Sequence, residues 1–347
     1  MKQLSEKMKQ ILIFLLTLAL LLTVTAAPVT TFAGEKTGNI VNIKDKKYSY
    51  SDMETDLKQF AKTYPDIVSL ESLGKTADKR KIYCLRMGNP DAKKQIIVQA
   101  GIHAREWPNC QMLMKSIERY LVNYKTGKYN KMTYKEIFDQ VAVYVIPMVN
   151  PDGVTISQYG VNKIKDKKLR KKVKKMKRYG GYTRWKANAR GVDLNRNFPA
   201  SWGRKKAEKK PASEGYPGKK AKSEKETKAV LKLIKQMPNL KACINIHSRG
   251  ELIYWGAKGN GTVRKNARKL AKAIKKTNGY RLVDETKTYG AGGDLERYLI
   301  AKKKIPYVCI ETGKESCPLK HKSFSGIYKK NKTVIEKTAR LYCKPKK

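Results

Sequence analysis

His103 and Glu106 stand three residues apart in the stretch GIHAREWPNCQ, which ends an apolar run and opens a helical pattern. That spacing puts both side chains on one side of a turn or first helical turn. An imidazole beside a carboxylate is part of what a catalytic zinc ion takes: three nitrogen or oxygen ligands, with a fourth position left for water. Such pairs also arise by chance. The chain has only three histidines, and His247 directly follows the apolar run CINI, so it too stands at a strand end and offers a third ligand.

The elements that must position these residues are legible from periodicity. Residues 49–63 read as a helix with a capping box at Ser51 and Glu54 and with Pro65 beyond its end. The β-rich runs IVSLESL, RKIYCLRM and QIIVQAGI come next, followed by a helical pattern from about Trp107 to Tyr124 and the run VAVYVIPMVNPDG, which closes on a Pro-Asp-Gly turn signal. Further on are helices near 223–236 and 260–277, strands at KACINIHS and PYVCIETG, and a closing helix near 324–342. Strands and helices alternate over most of the chain without a repeat or a long flexible linker. The expected fold is a single α/β domain around a central sheet, with functional residues just beyond strand ends. Between Lys163 and Arg178 lie eleven Lys or Arg and one Asp, with few apolar residues. This basic insertion (163–178) reads as a charged surface loop or an exposed helix.

The first 33 residues read separately. A basic start, the apolar run at 11–27 and a small-residue cleavage site after Ala33 are the parts of a secretory signal peptide; a retained membrane anchor is the alternative. Export makes the expected location secreted or wall-associated, with no stable membrane span after cleavage. The chain has a formal charge of +48, of which the export segment carries +2, and the remaining +46 favours anionic partners such as cell-envelope polymers and acidic peptides. Nucleic acid is not expected, because no zinc finger, RNP-type aromatic motif or basic zipper is present. Six cysteines are widely spaced with no CxxC. Cys84, Cys243 and Cys309 sit in apolar runs as buried thiols, and Cys317 and Cys343 flank the last helix, where a bridge is conceivable. A monomer is the default.

Taken in order, GIHAREW, NPDG, GVDLNRNF, NIHS and IETG resemble the zinc carboxypeptidase family, the carboxypeptidase A and T relatives, across residues 45–343. The resemblance implies a mixed central β-sheet flanked by helices, a short linker at 34–44 with no room for a pro-domain, and one Zn2+ per chain held by His103, Glu106 and His247. It implies Glu311 as the general base; on the residues alone Glu311 is a strand-end surface glutamate. It implies Asn195 and Arg196 as the holders of a substrate carboxylate, a role that the planar fork of arginine suits. Tyr289 resembles a mobile tyrosine that closes over substrate, Leu295 falls near the floor of the pocket for the leaving residue, and Arg105 resembles a substrate-side arginine with salt-bridge duty as an equal alternative.

Two positions depart from the animal enzymes. Lys186 stands where an oxyanion-stabilising arginine is expected, with Arg184 and Arg190 as rivals, and a lysine serves there as a point charge without a fork. Arg249 follows HS where the digestive enzymes carry an aromatic residue. The arrangement resembles bacterial members that cut peptidoglycan stem peptides between γ-D-glutamate and a diamino acid, and Arg249 is suited to the extra carboxylate of that D-glutamate. A general metallocarboxypeptidase, an inactive relative that binds wall peptides, and a polyanion-binding protein are the other readings.

Overall fold

The computed structural model describes residues 36–203, 207–257, 259–285 and 292–344. The expected export segment and Tyr289 lie outside the described residues. In chain order the sheet strands are β1 (Val68–Lys75), β2 (Lys81–Met87), β3 (Gln95–Ala100), β4 (Ala142–Ile146), β5 (Leu240–His247), β6 (Leu252–Trp255), β7 (Arg281–Asp284) and β8 (Tyr307–Glu311). They form one mixed sheet in the order β1-β2-β4-β3-β5-β8-β6-β7. The central strands β4, β3, β5 and β8 run parallel, while β2 against β4 and β6 against β8 are antiparallel.

Both faces of the sheet are apolar because side chains alternate along each strand. Ile96, Val98 and Ile244 face one cluster, which takes in Leu57 and Phe60 of helix α1 (Tyr50–Thr63) and Leu113 and Ile117 of α2 (Pro108–Val122). Ile97 and Cys243 face the other, covered by α6 (Lys225–Lys235) through Val230 and Leu233. The helices α3 (Tyr134–Gln140), α4 (Pro151–Tyr159), α5 (Lys167–Lys175), α7 (Gly261–Asn278), α8 (Phe324–Asn331) and α9 (Val334–Arg340) complete the regular helices used below. No helix among the described residues is long and apolar enough to cross a membrane.

Several expectations shift. The first helix is capped at Ser49 with Asp52, not at Ser51 with Glu54: the Ser49 hydroxyl accepts the Asp52 N–H and the Asp52 carboxylate accepts the Ser49 N–H. This register buries Tyr48 and Met53 in the same apolar cluster, the pairing of a hydrophobic staple, which a cap at Ser51 would forgo. The Pro-Asp-Gly signal is a helix start, because the Asn150 side chain accepts the Gly153 N–H and Pro151 takes the first helical position. The basic insertion forms α5, capped by Asp166. Leu169 and Val173, four apart, are buried in a satellite core with Ile156, Ile164 and Trp185; full burial of such a side chain stabilises by about 1.5–3 kcal/mol.

The closing helix is broken between α8 and α9. The Lys332 carbonyl accepts from Arg119 Nη1 at 3.3 Å and from the Tyr120 hydroxyl at 2.7 Å, both on α2. Residues 36–41 are pinned to α2 and do not behave as a linker: Asn123 takes the Lys36 N–H at 2.9 Å, Glu118 takes the Ile40 N–H, and Lys115 reaches the Gly38 carbonyl. Cys317 and Cys343 are both free thiols, each donating to backbone carbonyls; Cys84, Cys110, Cys243 and Cys309 are free and buried.

Candidate metal centre and cleft

Three neighbouring parallel strands end together, and their ends carry the site. His247 is the last residue of β5 and lies in register with Glu311, the last residue of β8. Beyond β3 the chain turns through Gly101, at φ 64°, where an added Cβ would meet the Cys110 sulfur at 2.6 Å. That turn delivers His103, and one turn of 3-10 helix (Ala104–Glu106) delivers Glu106 before α2 begins.

Glu106 Oε1 lies 2.9 Å from His103 Nδ1 and its Oε2 lies 2.9 Å from His247 Nδ1, while the two Nδ1 atoms are 3.0 Å apart. All three residues are buried. Two imidazole nitrogens facing each other and a carboxylate form a nest of lone pairs that a cation satisfies. Tetrahedral zinc with bonds near 2.0–2.1 Å spaces its ligand atoms by about 3.3 Å, close to the distances seen, and the donor set is one zinc takes. Burial opposes ionisation of Glu106, yet the two imidazoles hold its carboxyl well below the usual range. Burial, with Lys186 nearby, lowers the His103 pKa, as suits a nitrogen that must stay unprotonated. His247 is shifted the other way: burial works against its charge, but Glu106 and Glu311 outweigh it.

Glu311 faces this cluster. One of its carboxylate oxygens lies within 4.8 Å of a His247 nitrogen and of the Cys309 sulfur. Burial, with Glu106 nearby and against the pull of His247, raises the Glu311 carboxyl to about 7.

Asp193, to which no role was attached in the sequence, is buried between His103 and Lys186. Its Oδ1 lies 3.3 Å from His103 Nε2 and its Oδ2 pairs with Lys186 Nζ at 3.2 Å. Burial resists its ionisation, but Lys186 and His103 hold it well below the carboxylate range. A histidine that binds metal through one nitrogen needs an acceptor for the other, and this is the signal that could have found Asp193. Sequence reasoning also missed a buried polar knot behind the ligands. Asn109 Nδ2 donates to Ser248 Oγ at 2.9 Å, the Thr312 hydroxyl donates to Asn109 Oδ1 at 2.6 Å, and the Thr312 N–H donates to the His247 carbonyl at 2.8 Å. Ser248 and Thr312 directly follow His247 and Glu311, so the knot ties together the ends that carry them.

The cleft, about 340 Å³, is lined by the metal cluster, Glu311, Arg105, Lys186, Asn195, Arg196 and Arg249. Asn195 Oδ1 accepts the Leu295 N–H at 3.1 Å, which leaves its amide nitrogen as the donor for a ligand; Arg196 Nη1 is held by the Asn195 carbonyl at 2.7 Å. Arg105 pairs with Glu214 at 2.9 Å, the salt-bridge alternative. Arg249 Nη1 reaches the Lys314 carbonyl at 3.4 Å. The rivals Arg184 and Arg190 are not among the lining residues, and Arg190 pairs with Glu224.

Leu295 is a correction. It is fully buried in the apolar cluster with Val230 and Leu233 and does not line the cleft. The walls at that end carry Glu285, Asp294, Glu296 and Arg297 instead, with Arg297 paired to Asp294. Burial, with Glu285 and Asp294 beside it, raises Glu296 well above the carboxylate range.

The sequence profile of the zinc carboxypeptidase family matches residues 53–333. The chain is similar to carboxypeptidase B of Bos taurus, 33% identical over 257 residues that make up 72% of this chain and 56% of that protein. It is also similar to gamma-D-glutamyl-L-diamino acid endopeptidase 1 of Lysinibacillus sphaericus, 27% identical over 290 residues, 82% of this chain and 70% of that one. The crystal structure of thrombin activatable fibrinolysis inhibitor superposes with a TM-score of 0.70 at 21% identity, covering 88% of this chain and 77% of that one, a likeness of fold.

Proposed function

The chain belongs to the zinc carboxypeptidase family, and from that premise we propose that this zinc-dependent peptide hydrolase cuts next to a free carboxyl end, with Glu311 as base, on peptidoglycan stem peptides. The observation that carries the catalytic part is the His103–Glu106–His247 cluster with Glu311 within 4.8 Å of His247. His103, Glu106 and His247 would hold the zinc, which would supply Lewis acidity to water and to the substrate carbonyl. Glu311 takes the proton of the attacking water and passes it to the leaving amine. Lys186, steadied by Asp193, puts a positive charge beside the oxygen that becomes negative. Arg196 and the Asn195 amide take the free carboxylate and so set which bond reaches the metal.

The finer reading, cleavage between γ-D-glutamate and a diamino acid, is supported by the charged far wall of the cleft. Glu285, Asp294, Glu296 and Arg297 make this wall polar, which suits a side chain that carries both an amine and a carboxylate better than an apolar terminal residue. Arg249 is the proposed partner of the extra carboxylate on D-glutamate. Export, proposed from the apolar run at 11–27, would deliver the enzyme to such a substrate. Release of C-terminal L-amino acids from peptides is the second reading, favoured by the similarity to carboxypeptidase B.

Hydrolysis should be abolished by a zinc chelator and restored by zinc, and Glu311→Gln should abolish it while zinc content stays near one per chain. Retained activity in Glu311→Gln overturns the base assignment. An L-Ala-γ-D-Glu-diaminopimelate peptide and L-peptides ending in lysine or leucine separate the substrate readings; cleavage confined to L-peptides refutes the stem-peptide reading. Arg249→Ala should impair the first reaction more than the second.

A further inference from the structure

A second groove, about 840 Å³, opens from the cleft and shares two of its residues, Lys186 and Arg196. Its walls are the end of the basic insertion, through Lys175 and Lys177, with Tyr179 just beyond it, and the segment 207–215. The two walls are one piece of structure. Lys177 bridges to Ala212, the Ser213 N–H donates to the Lys177 carbonyl at 2.8 Å, and the Ser213 carbonyl accepts the Lys186 N–H at 2.9 Å. The insertion is thereby fixed to the backbone of a cleft residue, and Leu169 and Val173 anchor its helix from behind.

The charges of the groove are unbalanced. Six cations and three carboxylates line it, and each carboxylate already has a cation: Asp193 has Lys186, Glu208 has Lys177, and Glu214 has Arg105. Lys175, Lys209 and Lys210 are exposed and have no carboxylate partner among the described residues. A concave surface with an excess of one sign concentrates ligands of the other sign. A substrate cut near its carboxyl end has only a short fragment on the leaving side, so a groove of this size running out of the cleft serves the acyl side.

We propose that this groove binds an acidic stretch of the substrate on the acyl side of the scissile bond, with Lys175, Lys209 and Lys210 as its determinants. The inference rests on the peptidase reading of the cleft for its direction, but not for its chemistry. It gives the basic insertion a role in choosing substrates rather than in the reaction.

The test compares two peptides with the same cleaved end, one with a run of glutamates upstream and one with glutamines. For the parent enzyme at low salt the acidic peptide should have the lower KM at similar kcat. The triple substitution Lys175→Gln, Lys209→Gln, Lys210→Gln should raise KM for the acidic peptide by about tenfold, since each exposed lysine–carboxylate contact contributes only a few-fold. It should leave the neutral peptide unchanged. A control with Lys265, Lys269 and Lys272 of α7 replaced by Gln removes the same charge elsewhere and should have little effect. Equal KM values for the two peptides, or equal losses in the groove and control variants, overturn the proposal. Binding of labelled acidic peptide to zinc-free protein, followed by fluorescence anisotropy, needs no catalysis. If neither peptide is hydrolysed but acidic-peptide binding is lost in the groove variant alone, the groove stands and the peptidase reading falls. Groove-dependent binding of inorganic polyphosphate with no preference for the acidic peptide overturns it in favour of a polyanion dock.

Discussion

Replacing Asp193 with asparagine tests whether the buried carboxylate behind His103 supports the metal. His103 turns Nδ1 toward Glu106 and His247, so Nε2 carries the proton and points to Asp193 Oδ1 at 3.3 Å. The other oxygen pairs with Lys186 at 3.2 Å. Asparagine keeps the shape but has one oxygen and one NH2 group. Turned toward His103, its oxygen still accepts from Nε2, but the NH2 then faces the Lys186 ammonium; turned the other way, the NH2 faces Nε2–H. Either orientation sets donor against donor where the structure has two charge-assisted contacts. Loss of such an outer partner typically weakens metal binding by 10- to 100-fold, about 1.4–2.7 kcal/mol. The lysine, stripped of its counter-charge, adds repulsion in the same direction. Asp193→Asn should therefore weaken zinc binding by at least tenfold, measured by competition with a chromophoric chelator, while the melting temperature of the zinc-free protein stays near that of the parent. Zinc affinity within threefold of the parent, with the fold intact, would refute the reasoning.

Glu226 should make stability fall as pH rises: burial, with Asp152 and Glu224 nearby, lifts its carboxyl from 4.5 to about 8, so between those values the native state keeps a proton that the unfolded chain has released. Glu226→Gln should remove this slope and add on the order of a few kcal/mol at pH 8; urea denaturation with the same pH slope in the variant and the parent would count against it. Gly293→Ala should raise KM and lower the melting temperature, because φ at Gly293 is 69° and a Cβ would lie 2.0 Å from the Arg196 carbonyl oxygen; unchanged kinetics would separate that loop from Arg196. Arg119→Ala should cost about 3–5 kcal/mol in chemical denaturation, since it leaves the buried Glu336 carboxylate without its cation at 3.4 Å; a loss under 1 kcal/mol would show that the pair is dispensable.

The sheet centre was legible because its strands are covered on both faces and spell continuous apolar runs. β6 and β7 were not, since strands of four residues each carry too little pattern to separate from a loop. The cap of α1 shows the limit of a local rule. Ser49 and Ser51 each have an acid three residues on, and the choice falls to Ser49, the position whose preceding Tyr48 is buried with Met53 in the core. The candidate metal ligands were legible for a backbone reason: His103, Glu106 and His247 sit where apolar runs stop, and the ends of neighbouring parallel strands meet. Glu311 has the same placement, yet one acid after a strand means little until a partner is known, and only the family resemblance singled it out.

Side-chain direction at an irregular backbone is a different matter, and the far wall of the cleft turns on it. Leu295, Glu296 and Arg297 form a three-residue helix capped by Asp294, which accepts the Arg297 N–H at 2.8 Å, while Asn195 Oδ1 accepts the Leu295 N–H at 3.1 Å. Those two bonds fix the rotation of the short helix. They send the leucine into the apolar cluster beneath and leave Asp294, Glu296 and Arg297 along the cleft. A hydrophobic leucine in the pocket was the reasonable expectation from residue order; one side-chain amide a hundred positions earlier reverses it. The same Asn195 thus holds the end of the cleft proposed to take the carboxylate and sets the identity of its charged wall, so on that proposal substitution there is expected to disturb the choice of leaving residue as well as the grip on its carboxylate.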